Sequence, residues 1–267
     1  MQTNSEELPA LIIPKSMSGL LRGKVGIITG ASRGIGAATA WSLVEAGANV
    51  VLAARDQQKL DALSMKINAT YGRESTRAVR TDVNDPASVK KLVDTVVATF
   101  GRLDFAFNNA GDGHLPAPLT DVPLSDFERA IQTNIVGVFL CMKFEIPEMI
   151  KLGGGSIVNM SSTAGVQGVK GIAGYVAGKH GVIGLTRAAA LDYARQNIRV
   201  NAVAPGPIYT ERVAKHRDQA AQGVPMGRVG NREEVASVTA WLCSDLSTFV
   251  TGAVIPIDGG RLSGIWF

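Results

Sequence analysis

The chain predicts an α/β fold in which one parallel sheet of seven strands is doubly wound, with helices on both faces. Three observations predict it. Short β-branched, apolar runs alternate with helix-like stretches, with no internal repeat or low-complexity segment between them. Most runs are apolar throughout rather than at every second residue, as strands covered on both faces require. The first run leads through a glycine-rich turn into a helix-like stretch, and a helix N-terminus placed there presents unpaired N–H groups to an anion.

Taken in order, strands are expected at 25–29, 49–54, 76–81, 103–107, 156–161, 199–203 and 254–257. The stretches between them are rich in Ala, Leu, Glu and Lys and read as helices. The glycine turn is Thr29-Gly30-Ala31-Ser32-Arg33-Gly34-Ile35-Gly36, with a helix expected over 37–45. The second strand ends at Ala54, and Asp56 is placed to cap the helix that follows. Residues 1–22 read as a tail outside a single domain of 23–267. The apolar stretch 8–14 is short, flanked by prolines and preceded by Glu6 and Glu7, unlike a secretory leader, so a cytoplasmic location is expected.

Composition agrees with one large α/β domain. A chain of 267 residues can bury a substantial core, and 46% hydrophobic with 19% charged residues describes a globular chain. No apolar run reaches the roughly 18 residues of a membrane span. The formal charge of +4 comes from scattered residues, with Arg73, Arg77 and Arg80 the nearest to a cluster, so no nucleic-acid partner is expected. Cys141 and Cys243 lie in apolar surroundings and read as small buried hydrophobes. No His, Cys, Asp and Glu set has metal-ligand spacing, and no metal is expected.

The chemistry centres on Tyr175 and Lys179. Four residues apart on a helix, they share a face. An ammonium beside a phenol favours the phenolate and draws its pKa down from about 10. Such a phenol exchanges protons with an alcohol or a carbonyl oxygen. By itself the pair equally describes an aromatic beside a solvated lysine, and the glycine loop equally describes a turn. Together they point to a nicotinamide-dependent oxidoreductase. His180 lies about 100° further round the helix and reads as packing.

The G-x3-G-x-G spacing, followed in order by Asn108-Asn109-Ala110-Gly111, Asn134, Ser162, Tyr175 and Lys179, resembles the short-chain dehydrogenase/reductase family, the single-domain Rossmann branch. The likeness runs from Gly23 to Gly260 and includes Asp82-Val83, Pro205-Gly206 and Asp258-Gly259-Gly260. It implies a dinucleotide held by Gly30, Ser32, Arg33, Gly34, Ile35 and Gly36, by Asp82 and Val83, and by Asn109, Ala110 and Gly111. Pro205, Gly206, Ile208 and Thr210 would cradle its nicotinamide end. Asp82 would accept from the adenine amino group, and the Asn108 backbone would pack near the adenosine ribose. Ser162 would hold the substrate oxygen and Tyr175 would move the proton. Lys179 would tune the phenol and bind the nicotinamide ribose, and Asn134 would support a proton-relaying water. Ser161 competes for the serine role; a spacing of thirteen positions before Tyr175 selects Ser162.

Cofactor preference follows from the end of the second strand. NAD-using relatives place an acidic residue there; here Ala54 is followed by Arg55, and Arg33 sits in the glycine loop. Two guanidiniums suit a 2′-phosphate, so NADP(H) is preferred and NAD(H) remains possible, with Asp56 as the alternative selector. Pocket walls are expected from 112–115, 163–169 and 209–226, with His114 and Gln167 joining Ser162 and Tyr175 as candidate substrate contacts.

The leading reading is an oxidoreductase for a small-molecule alcohol or ketone. A 3-oxoacyl-[acyl-carrier-protein] reductase shares the motifs, but relatives of that kind offer a carrier protein two arginines where this chain has Gly153 and Gln196, with Arg195 adjacent. A non-catalytic nucleotide sensor is the third reading, opposed by the intact catalytic set. The stretches 125–152 and 174–196 resemble helices that pair relatives, and a homotetramer is expected, with the Ile265-Trp266-Phe267 tail packed on a neighbour.

Overall fold

Seven described strands lie in one sheet: β1 (Val25–Thr29), β2 (Asn49–Ala54), β3 (Thr76–Arg80), β4 (Phe105–Asn108), β5 (Gly155–Met160), β6 (Ile198–Pro205) and β7 (Val254–Ile257). Their order is β3-β2-β1-β4-β5-β6-β7, and every neighbouring pair is parallel. The computed structural model describes residues 18–214 and 216–264. The tail up to residue 17 and the Ile265–Phe267 segment, about which the sequence raised expectations, lie outside the described residues.

Strand periodicity divides the core between the two faces. On β1 and β2, Ile28, Val50 and Leu52 pack to one side, and Val25, Ile27, Val51 and Ala53 to the other. The first side is covered by α1 (Gly34–Glu45), α2 (Gln57–Tyr71) and α7 (Arg232–Cys243), through Leu43, Leu60 and Leu242. The second is covered by α3 (Pro86–Phe100), α5 (Gly137–Leu152) and α6 (Ala173–Tyr193), through Val93, Met149 and Val182. Along β1 and β2 both faces of the sheet are thus covered, which is why these strands read as apolar runs.

Helix starts follow from local side chains. Asp56 accepts from the Lys59 N–H at 3.1 Å and begins α2, as expected. Asp85 accepts from the Ala87 N–H at 2.9 Å ahead of Pro86 and begins α3. The packed region reaches upstream of Gly23: Leu21 is fully buried, and its N–H donates to the Ala46 carbonyl at 2.8 Å. Arg73 closes the same end of α1, donating to the Val44 and Ala48 carbonyls at 3.1 and 3.3 Å. No described helix is long and apolar enough to cross a membrane.

Between α4 (Leu124–Ile131) and α5, residues Gln132–Val136 form one π-helical turn. Its cause is local: Asn134 Nδ2 donates to the carbonyl of Ala130, four residues back, at 2.7 Å. A side chain that takes an i−4 carbonyl competes with the backbone ladder, and such turns mark functional positions.

Candidate active site

The site lies at the carboxyl ends of the strands, where β1 and β4 adjoin and the chain changes direction across the sheet. Thr29 and Asn109 join the two halves. Thr29 Oγ1 accepts from the N–H groups of Asn109 and Ala110, each at 3.1 Å. Asn109 Nδ2 donates back to the Thr29 and Gly30 carbonyls at 2.9 and 3.1 Å. Gly30 turns at φ +64°, and a Cβ there would stand 2.9 Å from Asn109 Nδ2, so this position must be glycine for the halves to meet. Gly36 packs its backbone beneath the Gly30 carbonyl.

Helix α1 opens from this turn with no side chain capping its start. Its first-turn N–H groups and positive dipole end are therefore left for an anion. They stand at a cleft of about 840 Å³. The glycine loop lines it with Gly30, Ser32, Arg33, Gly34 and Ile35, and β2 contributes Arg55 just beyond its end. Asp82 and Val83, then Asn109, Ala110 and Gly111, and finally Thr210 line it as well, whereas Gly36, Tyr175 and Lys179 of the expected set do not. A dinucleotide fits these residues: an uncapped helix start for its pyrophosphate and a cationic rim. Pro205 and Gly206 sit outside this lining, and Ile208 lines a separate cavity of about 340 Å³ with Val224 and Met226.

The groups expected to handle the proton converge on α6. Tyr175 lies in its first turn and Lys179 one turn later, with Nζ 5.6 Å from the centre of the Tyr175 ring. Lys179 is only 2% exposed, and its ammonium donates to the Met160 carbonyl at 2.8 Å. Burial drops its pKa from 10.5 to about 7, because little around it replaces the lost water. The turn after β5 is pinned to the same lysine: Ser161 Oγ donates to the Lys179 carbonyl at 2.9 Å. Ser161 is thus consumed in packing. Ser162 is half-buried, accepts from the Ala164 N–H at 3.1 Å, and keeps its own proton to donate.

Asn134 closes the group. Its Nδ2 donates to the Asp112 and Ala130 carbonyls, both at 2.7 Å, while its Oδ1 is buried without a donor. A Cβ on Gly111 would lie 3.0 Å from both Asn134 Oδ1 and Lys179 Nζ, so these two polar atoms face one small space.

Comparison with known proteins adds to this geometry. A family model described as Enoyl-(Acyl carrier protein) reductase matches residues 30–261. The cyclohexanol dehydrogenase of an Acinetobacter strain is 40% identical over 250 residues, which cover 93% of this chain and 99% of that one. A 3-oxoacyl-[acyl-carrier-protein] reductase of Thermotoga maritima is 41% identical over 244 residues, covering 90% and 98% of the two chains. A solved structure of ElxO with NADP bound is similar at a TM-score of 0.86 and 36% identity, covering 90% of this chain and 99% of its own. The chain belongs to the short-chain dehydrogenase/reductase family.

This short-chain dehydrogenase/reductase is accordingly an NAD(P)-dependent oxidoreductase acting on CH–OH groups. Several of its cleft residues escaped the sequence reading: Lys59, Asn84 and Thr133; Glu211 belongs to the 209–226 stretch expected as a pocket wall. Lys59 had a signal, since it lies one helical turn beyond Arg55 and Asp56. Asp56 accepts from its backbone N–H and pairs with its ammonium at 3.2 Å. These hydrogen bonds from Lys59 hold the Asp56 carboxyl below the usual range.

His114 stands differently from its expectation as a substrate contact. It is 5% exposed, Gly174 N–H donates to its Nε2 at 3.1 Å, and its Nδ1 pairs with the Leu115 carbonyl at 2.8 Å. Neither ring nitrogen is left for a substrate. Gln167 is half-buried just past the 3₁₀ turn Thr163–Gly165, beside the exposed Val166.

Beneath the turn after β5 the dehydrogenase/reductase carries a buried polar layer. Asn108 Nδ2 donates to Glu145 Oε2 and to Asn159 Oδ1, both at 3.1 Å, and Asn159 Nδ2 donates to Thr186 Oγ1 at 3.0 Å. Burial raises the Glu145 carboxyl to about 7, the Asn108 hydrogen bond opposing it. The thiols are equally dry: burial pushes Cys243 to about 12 and Cys141 well above its ordinary value.

Proposed function

We propose that this chain is an NADP(H)-dependent alcohol dehydrogenase or ketoreductase for a compact, cyclic small-molecule alcohol or its ketone, with Tyr175 as general acid–base. The observation that carries it is Lys179, a buried ammonium held by the Met160 carbonyl and set over the Tyr175 ring. An uncompensated buried cation costs stability, and a phenol beside it is the group that uses it.

The cofactor, when bound, gives up or accepts a hydride at the carbon of the reacting group. The chain's own residues handle the oxygen. Ser162 donates a hydrogen bond to it, orienting the substrate. In reduction the Tyr175 hydroxyl gives its proton to that oxygen as negative charge develops; in oxidation the phenolate takes the proton back. Lys179 favours the phenolate while charged. A water between Asn134 Oδ1 and Lys179 Nζ would satisfy the buried acceptor and pass protons onward.

Preference for NADP(H) is supported by Arg33, Arg55 and Lys59 on one cleft, and by an Asp56 already engaged as a helix cap. A cyclic substrate is supported by the relative named for cyclohexanol. The carrier-protein reading is weakened because Gly153 and Gln196 carry no charge. A homotetramer is part of this reading, supported by Phe139 and Leu191 on α5 and α6, which are 46% and 83% exposed. Sedimentation as a monomer at micromolar concentration would remove that part.

The deciding experiment is turnover of cyclic and linear alcohols, ketones and acyl thioesters, each with both cofactors. Highest kcat/KM on a cyclic alcohol or ketone with NADP(H) is expected. Preference for acyl thioesters would replace the substrate reading, and preference for NAD(H) would overturn the cofactor reading.

A further inference from the structure

Helix α6 carries both Tyr175 and Lys179, yet its N-cap residue, Ile172, supplies no side-chain hydrogen bond. One of its first N–H groups, that of Gly174, is instead taken by the ring of His114, sixty residues earlier. Gly174 is the residue immediately before Tyr175. The ring lies directly on it: a Cβ at Gly174 would meet His114 Cδ2 at 3.2 Å.

The hydrogen bonds fix the ring's chemistry. Because Gly174 N–H donates, Nε2 must offer a lone pair. Nδ1 then carries the proton and donates it to the Leu115 carbonyl. Only this neutral tautomer satisfies both partners.

The loop that bears His114 is itself clamped. Asn134 Nδ2 donates to the Asp112 carbonyl at 2.7 Å. Arg129 pairs with Asp112 at 3.2 Å and donates to the Gly113 carbonyl at 3.2 Å. On the far side, Ala117 N–H donates to the Gly171 carbonyl at 2.9 Å, just before α6 begins. The loop therefore ties the π-helical turn that holds Asn134 to the helix start that holds Tyr175, and His114 makes the tie nearest the phenol.

We infer that His114 is a positioning residue for proton transfer: as acceptor for the Gly174 N–H it fixes the first turn of α6 and with it the Tyr175 hydroxyl. The inference rests on Tyr175 being the group that moves the proton. A side chain acting through geometry in this way alters turnover far more than dinucleotide affinity, since neither His114 nor the first turn of α6 lines the cleft.

The test compares His114→Leu, His114→Gln and His114→Asn. A glutamine oxygen reaches the place of Nε2 and can accept from Gly174; an asparagine reaches only the place of Nδ1. Each variant is assayed for kcat, KM and thermal midpoint with the best substrate of the panel, and for NADPH affinity by nucleotide fluorescence. His114→Leu should lose at least tenfold in kcat with NADPH affinity within twofold of wild type. His114→Gln should recover most of that loss and His114→Asn little of it. In a Tyr175→Phe background, His114→Leu should change residual turnover less than twofold, because the phenol it positions is gone. Should His114→Leu fail to fold, the Gln and Asn variants decide. Wild-type kcat in His114→Leu, or equal impairment in folded Gln and Asn variants, overturns the inference while a dead Tyr175→Phe leaves the proton-transfer reading standing. Near-normal turnover in Tyr175→Phe overturns both.

Discussion

Ser161 and Lys179 are joined through the serine hydroxyl and the lysine's own backbone carbonyl, at 2.9 Å, while the lysine ammonium returns to the carbonyl of Met160 one residue before that serine. The turn after β5 and the second turn of α6 are thus stitched twice. Of the two adjacent serines, Ser161 is committed to this packing and Ser162 is the one proposed to meet the substrate. Ser161→Ala should lower stability by about 1 kcal/mol, the net worth of one buried hydrogen bond, with kcat nearly intact. Ser162→Ala gives up its cap on the Ala164 N–H, so it should lose a comparable amount of stability, about 1 kcal/mol, but also about tenfold to a hundredfold in kcat/KM, as expected for one hydrogen bond to a charge-developing oxygen. Reversal of this pattern in turnover measurements would reassign the serines.

Tyr175→Phe removes only a hydroxyl. Folding and NADPH binding should persist, and turnover should fall by about 10²–10⁴. The measurement is single-turnover kinetics beside cofactor titration.

Lys179→Met tests the buried ammonium by stability as well as rate. A lysine whose folded pKa lies below its unfolded one destabilises the fold fully at pH below about 7, and the penalty fades as pH rises towards 10.5. The variant should therefore melt higher than wild type at pH 7, by of order 2 kcal/mol after allowing for the Met160 carbonyl left without its donor. That advantage should shrink by pH 10, while activity is lost throughout. A variant less stable than wild type at pH 7 would contradict the burial argument.

Cofactor choice should follow the cationic rim. Arg55→Ala, Lys59→Ala and Ala54→Asp should each weaken NADP(H) far more than NAD(H), the loss of one charge-assisted phosphate contact costing about 1.5–3 kcal/mol. Equal weakening of both cofactors in titration would remove these residues from the selector.

Glu145→Gln concerns the polar layer under the site. A carboxyl raised from 4.5 to about 7 carries no penalty at pH below 4.5, a growing one up to 7, and the full penalty above 7. Glutamine stands in for the protonated acid, so the variant should match wild type near pH 4.5 and exceed it at pH 8, by about 3 kcal/mol at most. Thermal melts across that range read the difference directly. Two buried acceptors without donors, Glu145 Oε1 and Asn108 Oδ1, mark where the wild-type proton is wanted.

Sheet elements were legible where one physical cause set them. The 25–29 and 49–54 strands stand as expected because unbroken apolar runs need two covered faces, and 254–257 keeps its bounds as a half-buried edge strand. The fourth strand begins later than expected, at Phe105, because Asp104 turns its carboxylate to the Val25 N–H at 2.8 Å. Helix α1 begins at Gly34, inside what reads as a turn, because the loop's glycines serve the helix start as well. Features set by distant partners were not legible. The π-helical turn depends on where one amide reaches, and the role of His114 depends on which helix start lies opposite it. Lys59 was within reach, being on the same first turn as the cap that was recognised.

The Thr29–Asn109 seam divides labour. Every residue proposed to choose between the two dinucleotides lies in the first 60 positions, on the β1–β2 side, and every residue proposed to move a proton lies beyond it, on the β4–β6 side. At the mouth of the cleft the halves meet in four hydrogen bonds that no selector residue makes. Such a chain is modular in an evolutionary sense: it can exchange one redox pool for another by drift at a few surface cations, with its reaction chemistry inherited unaltered.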